Sequence, residues 1–230
     1  QELKKRGLWG VFYVPTQPYT KGKILDVHRI HLLCGAFEGI KLLSTLKELL
    51  DERMLRDKKI KEFREHTYTR QENYDGVSEF KRILNYFVSY QYKEGLIDAV
   101  ALELGFEFNV SDFYVSVDKL TEMYLGGNII GSHTVSHPVM SKLSHVEQRS
   151  EIIDSFSFLD GIGCVDVKTY CHPYGQFHSF NEATVDTLNS NNVDFSFNVE
   201  SRDICDKDLS SSIQFLPRYD CNLFPFGKAS

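Results

Sequence analysis

The sequence predicts an α/β fold built on a parallel sheet. Short β-branched and aromatic runs alternate with helical patterns through the second half of the chain, and a capping signature opens the longest of those helices. A long block of helical periodicity separates the first strand from the others. With 230 residues, 42% of them hydrophobic, the chain suffices for one domain with a real core and is tight for two of ordinary size.

The opening QELKKRG reads as a helix already under way, and the methionines lie far inside at Met54, Met123 and Met140, so a segment upstream is expected. Leu8 to Val14 (LWGVFYV) reads as a buried strand ended by Pro15. From Ile24 to about Ile60 apolar residues recur at helical spacing, which predicts two amphipathic helices broken near Gly35 to Gly39. The charged stretch Asp51 to Arg70 reads as a solvated helical face, followed by a loop at Asn73 to Gly76. Helix resumes at Ser78 with Phe80, Ile83, Leu84 and Phe87 on one face, and Leu96 to Leu104 continues it after an expected break at Gly95.

Beyond FYVS, Asp118 to Tyr124 is predicted helical and NIIG a short strand. SHVE, with Ser144 and Glu147, is a capping-box pattern that starts a helix running to about Leu159. Val165 to Cys171 and Val193 to Val199 are predicted strands with a helix at Asn181 to Asn189 between them, and Gln214 to Arg218 reads as a further strand. In such a fold the reactive side chains belong at the C-terminal ends of the strands. The loops to inspect therefore follow Val14, Ile130, Cys171, Val199 and Arg218.

A net charge of -6 gives no basic footprint for nucleic acid, which is excluded as a partner. No apolar run approaches the ~18 to 20 residues of a membrane span, and no leader pattern is visible. The five cysteines form an odd set without a CxxC pair, which suits neither a disulfide framework nor a cysteine zinc site and points to a reducing compartment.

Three segments could carry chemistry. In GSHTVSHP, Gly131 to Pro138, the glycine and proline argue against a helix interior, so His133 and His137 sit on a strand exit where two imidazoles can converge on zinc, cobalt, nickel or iron. Ser132, Thr134 and Ser136 could fix the ring tautomers. The plain alternative is a pair of capping or core histidines. No carboxylate adjoins them; Asp26, Asp160, Asp203 and Asp220 are third-ligand candidates only through folding. His145, His28, His31 and His66 read as surface residues.

In YCHPYGQF, Pro173 and Gly175 force a sharp exit that sets Tyr174 and its backbone N–H at the sheet edge, the geometry of an oxyanion hole or simply of a tight turn around a packed aromatic. His172 is a candidate ligand or acid. In FLPRYDCN, Arg218 and Asp220 either orient a substrate or form a local ion pair.

Together these segments resemble the polysaccharide deacetylases of carbohydrate esterase family four, the NodB-homology domain. HTVSHP is similar to the family's metal-binding histidine motif, which assigns His133 and His137 to a divalent metal, zinc in the first place. The segment KLSHVEQRSEIIDSFSFL is similar to the helix that follows, and YCHPYG to the motif whose tyrosine N–H helps form the oxyanion hole, here Pro173 and Tyr174. The resemblance covers Leu8 to Pro15 and roughly Phe113 onward. It departs in three places: the paired aspartates of the first motif would precede QELKKRG, Cys171 stands where the family has arginine, and no histidine follows His178 to serve as the late acid. LPRYD and the helical block resemble a subgroup from O-antigen and surface-polysaccharide clusters.

The resemblance implies a distorted (β/α) barrel with its first strand missing, a single domain over 1–230 with a helical insertion over 24–110. It implies a bacterial cytoplasmic hydrolase that removes an N-acyl group from amino sugars of a surface glycan. Tyr174 and Arg218 would serve in catalysis and Pro173, His172 and Asp220 in substrate binding, with His172 or a water on Asp220 as acid. The alternative is a catalytically impaired glycan-binding or assembly protein on the same fold.

Overall fold

The computed structural model describes residues 2–55, 65, 67–68, 74–109 and 113–225; the expectations for Ile60, His66 and Asn73 lie outside them. In chain order the elements are α1 (Glu2–Lys5), β1 (Val11–Val14), α2 (Gln17–Lys21), α3 (Asp26–Ala36), α4 (Gly39–Leu49), α5 (Val77–Arg82), α6 (Tyr90–Glu103), α7 (Val117–Leu125), β2 (Ile129–Ser132), α8 (His145–Gly161), β3 (Thr169–Cys171), α9 (Glu182–Ser190), β4 (Phe195–Phe197) and α10 (Asp206–Ser211). The four strands pair in the order β1-β2-β3-β4, all parallel, as the α/β reading requires. The chain divides into two compact units, Ile24–Phe113 and the remainder.

The sheet unit is made by strands whose alternate residues meet different surroundings. Val14 and Ile130 face Leu120 of α7 and Leu159 of α8, while Tyr170 faces Ile152 and Phe156 of α8 and Leu188 of α9. Each such aliphatic side chain contributes about 1.5–3 kcal/mol when fully withdrawn from water. On the opposite face the Tyr13 ring lies over Gly131, where an added Cβ would meet ring carbons at 2.5 and 2.7 Å. Tyr13 also packs edge-on against Phe197, with ring centroids 6.3 Å apart. The Thr169 hydroxyl donates to the Phe195 carbonyl (3.1 Å), so the 2.9 Å bond between Tyr13 and Thr169 has the phenol as donor.

Helix α8 starts where the sequence indicates. Ser144 Oγ accepts from the Glu147 N–H, and the Glu147 carboxylate accepts from the Ser144 N–H, closing both halves of the capping box.

In the helical unit, α3 and α4 are separated near Phe37 as expected, but α6 runs through Gly95 without a break. The interruption falls earlier, at a π-helical turn over Ile83–Phe87 and the extended Val88. Glycine costs a helix only about 1 kcal/mol, and the apolar face of Leu96, Ile97 and Val100, all buried, outweighs it. The later strands are shorter than predicted. Residues 165–168 stay outside the ladder, and Ile213–Phe215 is a 3-10 turn from which only Leu216 bridges to Phe197. Pro217 has no N–H to extend that pairing.

Two glycines separate these effects in an unfolding experiment. The site of an added Cβ at Gly95 is open, so Gly95→Ala should stabilise by up to about 1 kcal/mol. Gly131→Ala must displace the Tyr13 ring and should destabilise by about 1–3 kcal/mol. Denaturant midpoints that move the other way would contradict this packing.

Candidate active site

The strand exits that carry the candidate residues are joined by backbone pairing. The His133 N–H donates to the Val14 carbonyl (3.1 Å), Thr16 N–H to Thr134 (3.1 Å) and Gln17 N–H to Val135 (2.9 Å), so the loop after β2 is stitched to the one after β1. Beside it, the His172 N–H donates to the Phe197 carbonyl (3.0 Å) and Val199 N–H to Gly175 (2.5 Å), joining the exits of β3 and β4. All of these exits lie at the C-terminal edge because every strand runs the same way.

His133 crosses between the two loops. Its Nδ1 lies 2.7 Å from the Cys171 carbonyl oxygen. A carbonyl only accepts, so Nδ1 carries the proton and the ring's lone pair is on Nε2, the tautomer of a metal-ligating imidazole. The His137 ring stands edge-on to it with centroids 4.6 Å apart, and the Tyr174 ring lies 4.9 Å from that of His137. Thr134, His137 and Tyr174 adopt φ of 67°, 57° and 62°, left-handed values that are uncommon outside glycine. Such values concentrate where function requires them. At Gly175, φ is 69° and a Cβ would come within 2.3 Å of Val199, so only glycine completes this turn without strain.

Arg218 reaches the same corner. Its guanidinium lies close enough to act on the Cys171 thiol, whose pKa burial raises while the positive charge pulls it down, and it also acts on Tyr13. The structure thus brings together His133, His137, Tyr174 and the Cys171 carbonyl, with Arg218 near the Cys171 thiol.

Two other predicted residues are placed apart from that group. His172 is 1% exposed, its Nε2 donating to the Gln214 carbonyl at 2.8 Å and its ring stacked 3.9 Å from Phe180. Burial pushes its pKa down to about 4, so the ring is neutral and belongs to the packing beneath the edge. Asp220 caps the turn Cys221–Leu223, accepting from Asn222 N–H at 3.1 Å. Of the third-ligand candidates, Asp203 accepts from the Tyr219 hydroxyl at 3.0 Å and Asp160 lies on the exposed end of α8.

The two imidazoles fit a divalent metal as a donor pair: one tautomer is fixed by a carbonyl, and the rings adjoin. Among the described residues no group of three or more His, Cys, Asp and Glu side chains gathers as a complete set. Sequence reasoning missed Glu151, whose carboxylate accepts the N–H groups of Val135 (2.9 Å) and Ser136 (2.8 Å) and the Ser136 hydroxyl (2.6 Å). The signal lay in spacing: Gln148, Glu151 and Ser155 recur at three and four along a face of α8 that also carries buried Ile152.

The fold and the site define an α/β protein with paired imidazoles and a left-handed tyrosine turn at the C-terminal edge of a parallel sheet. Residues 100–196 match the model of the polysaccharide deacetylase family, a stretch that holds both motifs, and the resemblance read in the sequence stands there. Two solved structures are similar to the chain. One is a family 4 carbohydrate esterase from Streptomyces lividans in complex with acetate, 19% identical, with 42% of this chain and 46% of that one covered at a TM-score of 0.33. The chain thus spans under half the length of that protein. The other is the Streptococcus pyogenes deacetylase PplD in complex with acetate, 14% identical, with 92% and 88% covered at a TM-score of 0.43. No curated protein matches the chain. Among the described residues no helix is long and apolar enough to cross a membrane.

The buried His172 gives a pH test. Its folded pKa of about 4 lies below the ordinary 6.5, so the unfolded chain binds more protons between those values. The stabilisation from the neutral ring is complete above about 6.5 and is lost as pH falls toward about 4, on the order of 3 kcal/mol in all. Stability measured across this window should fall less steeply in His172→Gln than in the wild type; parallel curves would refute the burial argument.

Proposed function

We propose that this chain hydrolyses the N-acetyl group of amino sugars in a bacterial surface polysaccharide, as a metal-dependent deacetylase whose metal is held by His133 and His137. One observation carries the reading: within the stretch matched to the deacetylase family, two strand exits bring both imidazoles and the Tyr174 turn to one point. Zinc is the first candidate, because neutral imidazole nitrogen suits it and the Cys171 carbonyl prepares His133 for that role. When bound, such an ion polarises an amide carbonyl and lowers the pKa of water.

The chain's own residues supply the rest. The backbone N–H at the Pro173–Gly175 turn stabilises the negative charge that develops on the acyl oxygen. Arg218 orients the substrate from beside Cys171. The amine must leave protonated, which requires an acid; the neutral, buried His172 and the turn-capping Asp220 do not supply it. The helical block over 24–110 is read as an insertion within this domain. A glycan-binding or assembly protein without turnover is the second reading, favoured by Cys171 in the arginine position and by the lack of a histidine after His178.

Acetate release from N-acetylhexosamine oligomers decides between them. His133→Ala and His137→Ala should each cut the rate by more than the ~100-fold upper end seen for changes to groups that merely support a metal ligand. A chelator should do the same, with recovery on adding zinc. Wild-type turnover in either variant would overturn the assignment; glycan binding without acetate release would establish the second reading.

A further inference from the structure

We infer that Glu151 is the positioning residue of the His133–His137 pair, a carboxylate clamp that holds the loop between them in its left-handed shape. The inference rests on the proposed metal role of the pair and deepens it. Thr134 and His137 both hold positive φ, at 67° and 57°. Conformations of this kind persist only where the surroundings over-determine them. On one side the determinants are the backbone bonds from Thr16 and Gln17 to the Thr134 and Val135 carbonyls. On the other, the two successive N–H groups of Val135 and Ser136 converge on Glu151 Oε2 at 2.9 and 2.8 Å, and the Ser136 hydroxyl donates to Oε1 at 2.6 Å. Successive N–H groups aimed at one anion form a nest, and bonds to a carboxylate are the strong ones.

The clamp has a second arm. One helical turn beyond Glu151, the Ser155 hydroxyl bonds that of Ser132 at 2.6 Å, and Ser132 Oγ accepts the Thr134 N–H at 3.3 Å. Helix α8 therefore holds both the entry and the middle of the loop, while Thr134 Oγ1 accepts the His137 N–H at 2.9 Å. Three bonds from the loop engage both oxygens of Glu151, which ties its carboxylate to the loop between the histidines. Without that carboxylate the two N–H groups turn to water, the loop relaxes, and the imidazoles lose their shared point.

The test compares the full chain with Glu151→Ala, Glu151→Gln and Ser136→Ala, reading zinc affinity by competition with a chromophoric chelator and amide exchange at Val135 and Ser136. Glu151→Ala should bind zinc at least about tenfold more weakly and lose protection at both amides. Glu151→Gln, which keeps one acceptor oxygen, should recover part of each. If Glu151→Ala does not fold, Glu151→Gln and Ser136→Ala carry the comparison, each expected between wild type and the alanine effect. Wild-type zinc affinity or unchanged amide protection in a folded Glu151 variant would overturn the clamp. A wild-type chain that binds no zinc would instead overturn the metal reading on which it rests.

Discussion

The bond from His133 Nδ1 to the Cys171 carbonyl is the constraint on which the site depends. It spans adjacent strand exits, so it exists only if β2 and β3 are parallel and in the register that sets Ser132 beside Tyr170. A slip of one residue would turn every side chain of one strand to the opposite face and remove the acceptor from beside the ring. The core thereby sets the chemistry: Tyr170, packed against Ile152 and Phe156, fixes where the next carbonyl along the chain lies, and that carbonyl fixes which nitrogen of His133 carries the proton.

The strain at the edge is concentrated where the candidate groups sit. Thr134, His137, Tyr174 and Gly175 are all left-handed, and they belong to two loops that meet through the His137 and Tyr174 rings. Each non-glycine position of this kind costs on the order of 1–3 kcal/mol. The bonds donated by Thr16 and Gln17, those that Glu151 accepts from Val135 and Ser136, and the one from Val199 to Gly175 are the compensation visible in the structure. A loop left to its own propensities would not retain this shape.

Local signals were legible in the sequence and long-range ones were not. The histidine pair on a strand exit, the forced turn at Pro173 to Gly175 and the capping box of α8 are each written within a few adjacent residues. Glu151 belongs to the same site through a contact spanning 16 positions, and its helical face looked like any amphipathic pattern. The sequence neighbours of His172 mark it as a candidate ligand or acid, yet strand alternation turns it toward Gln214 and Phe180. The expected break at Gly95 failed because burial of the flanking apolar face outweighs intrinsic preference. Gln214 to Arg218 looked like a strand, but its proline limits pairing to Leu216.

Cys171, where the resembled motif has arginine, is one of the departures that favour a non-catalytic reading of the sequence, with the lack of a histidine after His178. The structure changes the weight of that substitution, because Arg218, two residues beyond the Leu216 bridge, brings a guanidinium near the Cys171 thiol. Burial raises the pKa of the thiol, so at neutral pH it stays protonated and does not neutralise the guanidinium. The positive charge near Cys171 is therefore not cancelled by a thiolate. A cation is therefore present whichever reading holds, and the distinction between enzyme and binder moves to the proton acceptor. Water attacking an amide must lose a proton, and a neutral imidazole committed to a metal cannot take it. Glu151, the carboxylate bound to the loop between the histidines, already accepts three bonds from that loop, so the base for an attacking water has to be a different group.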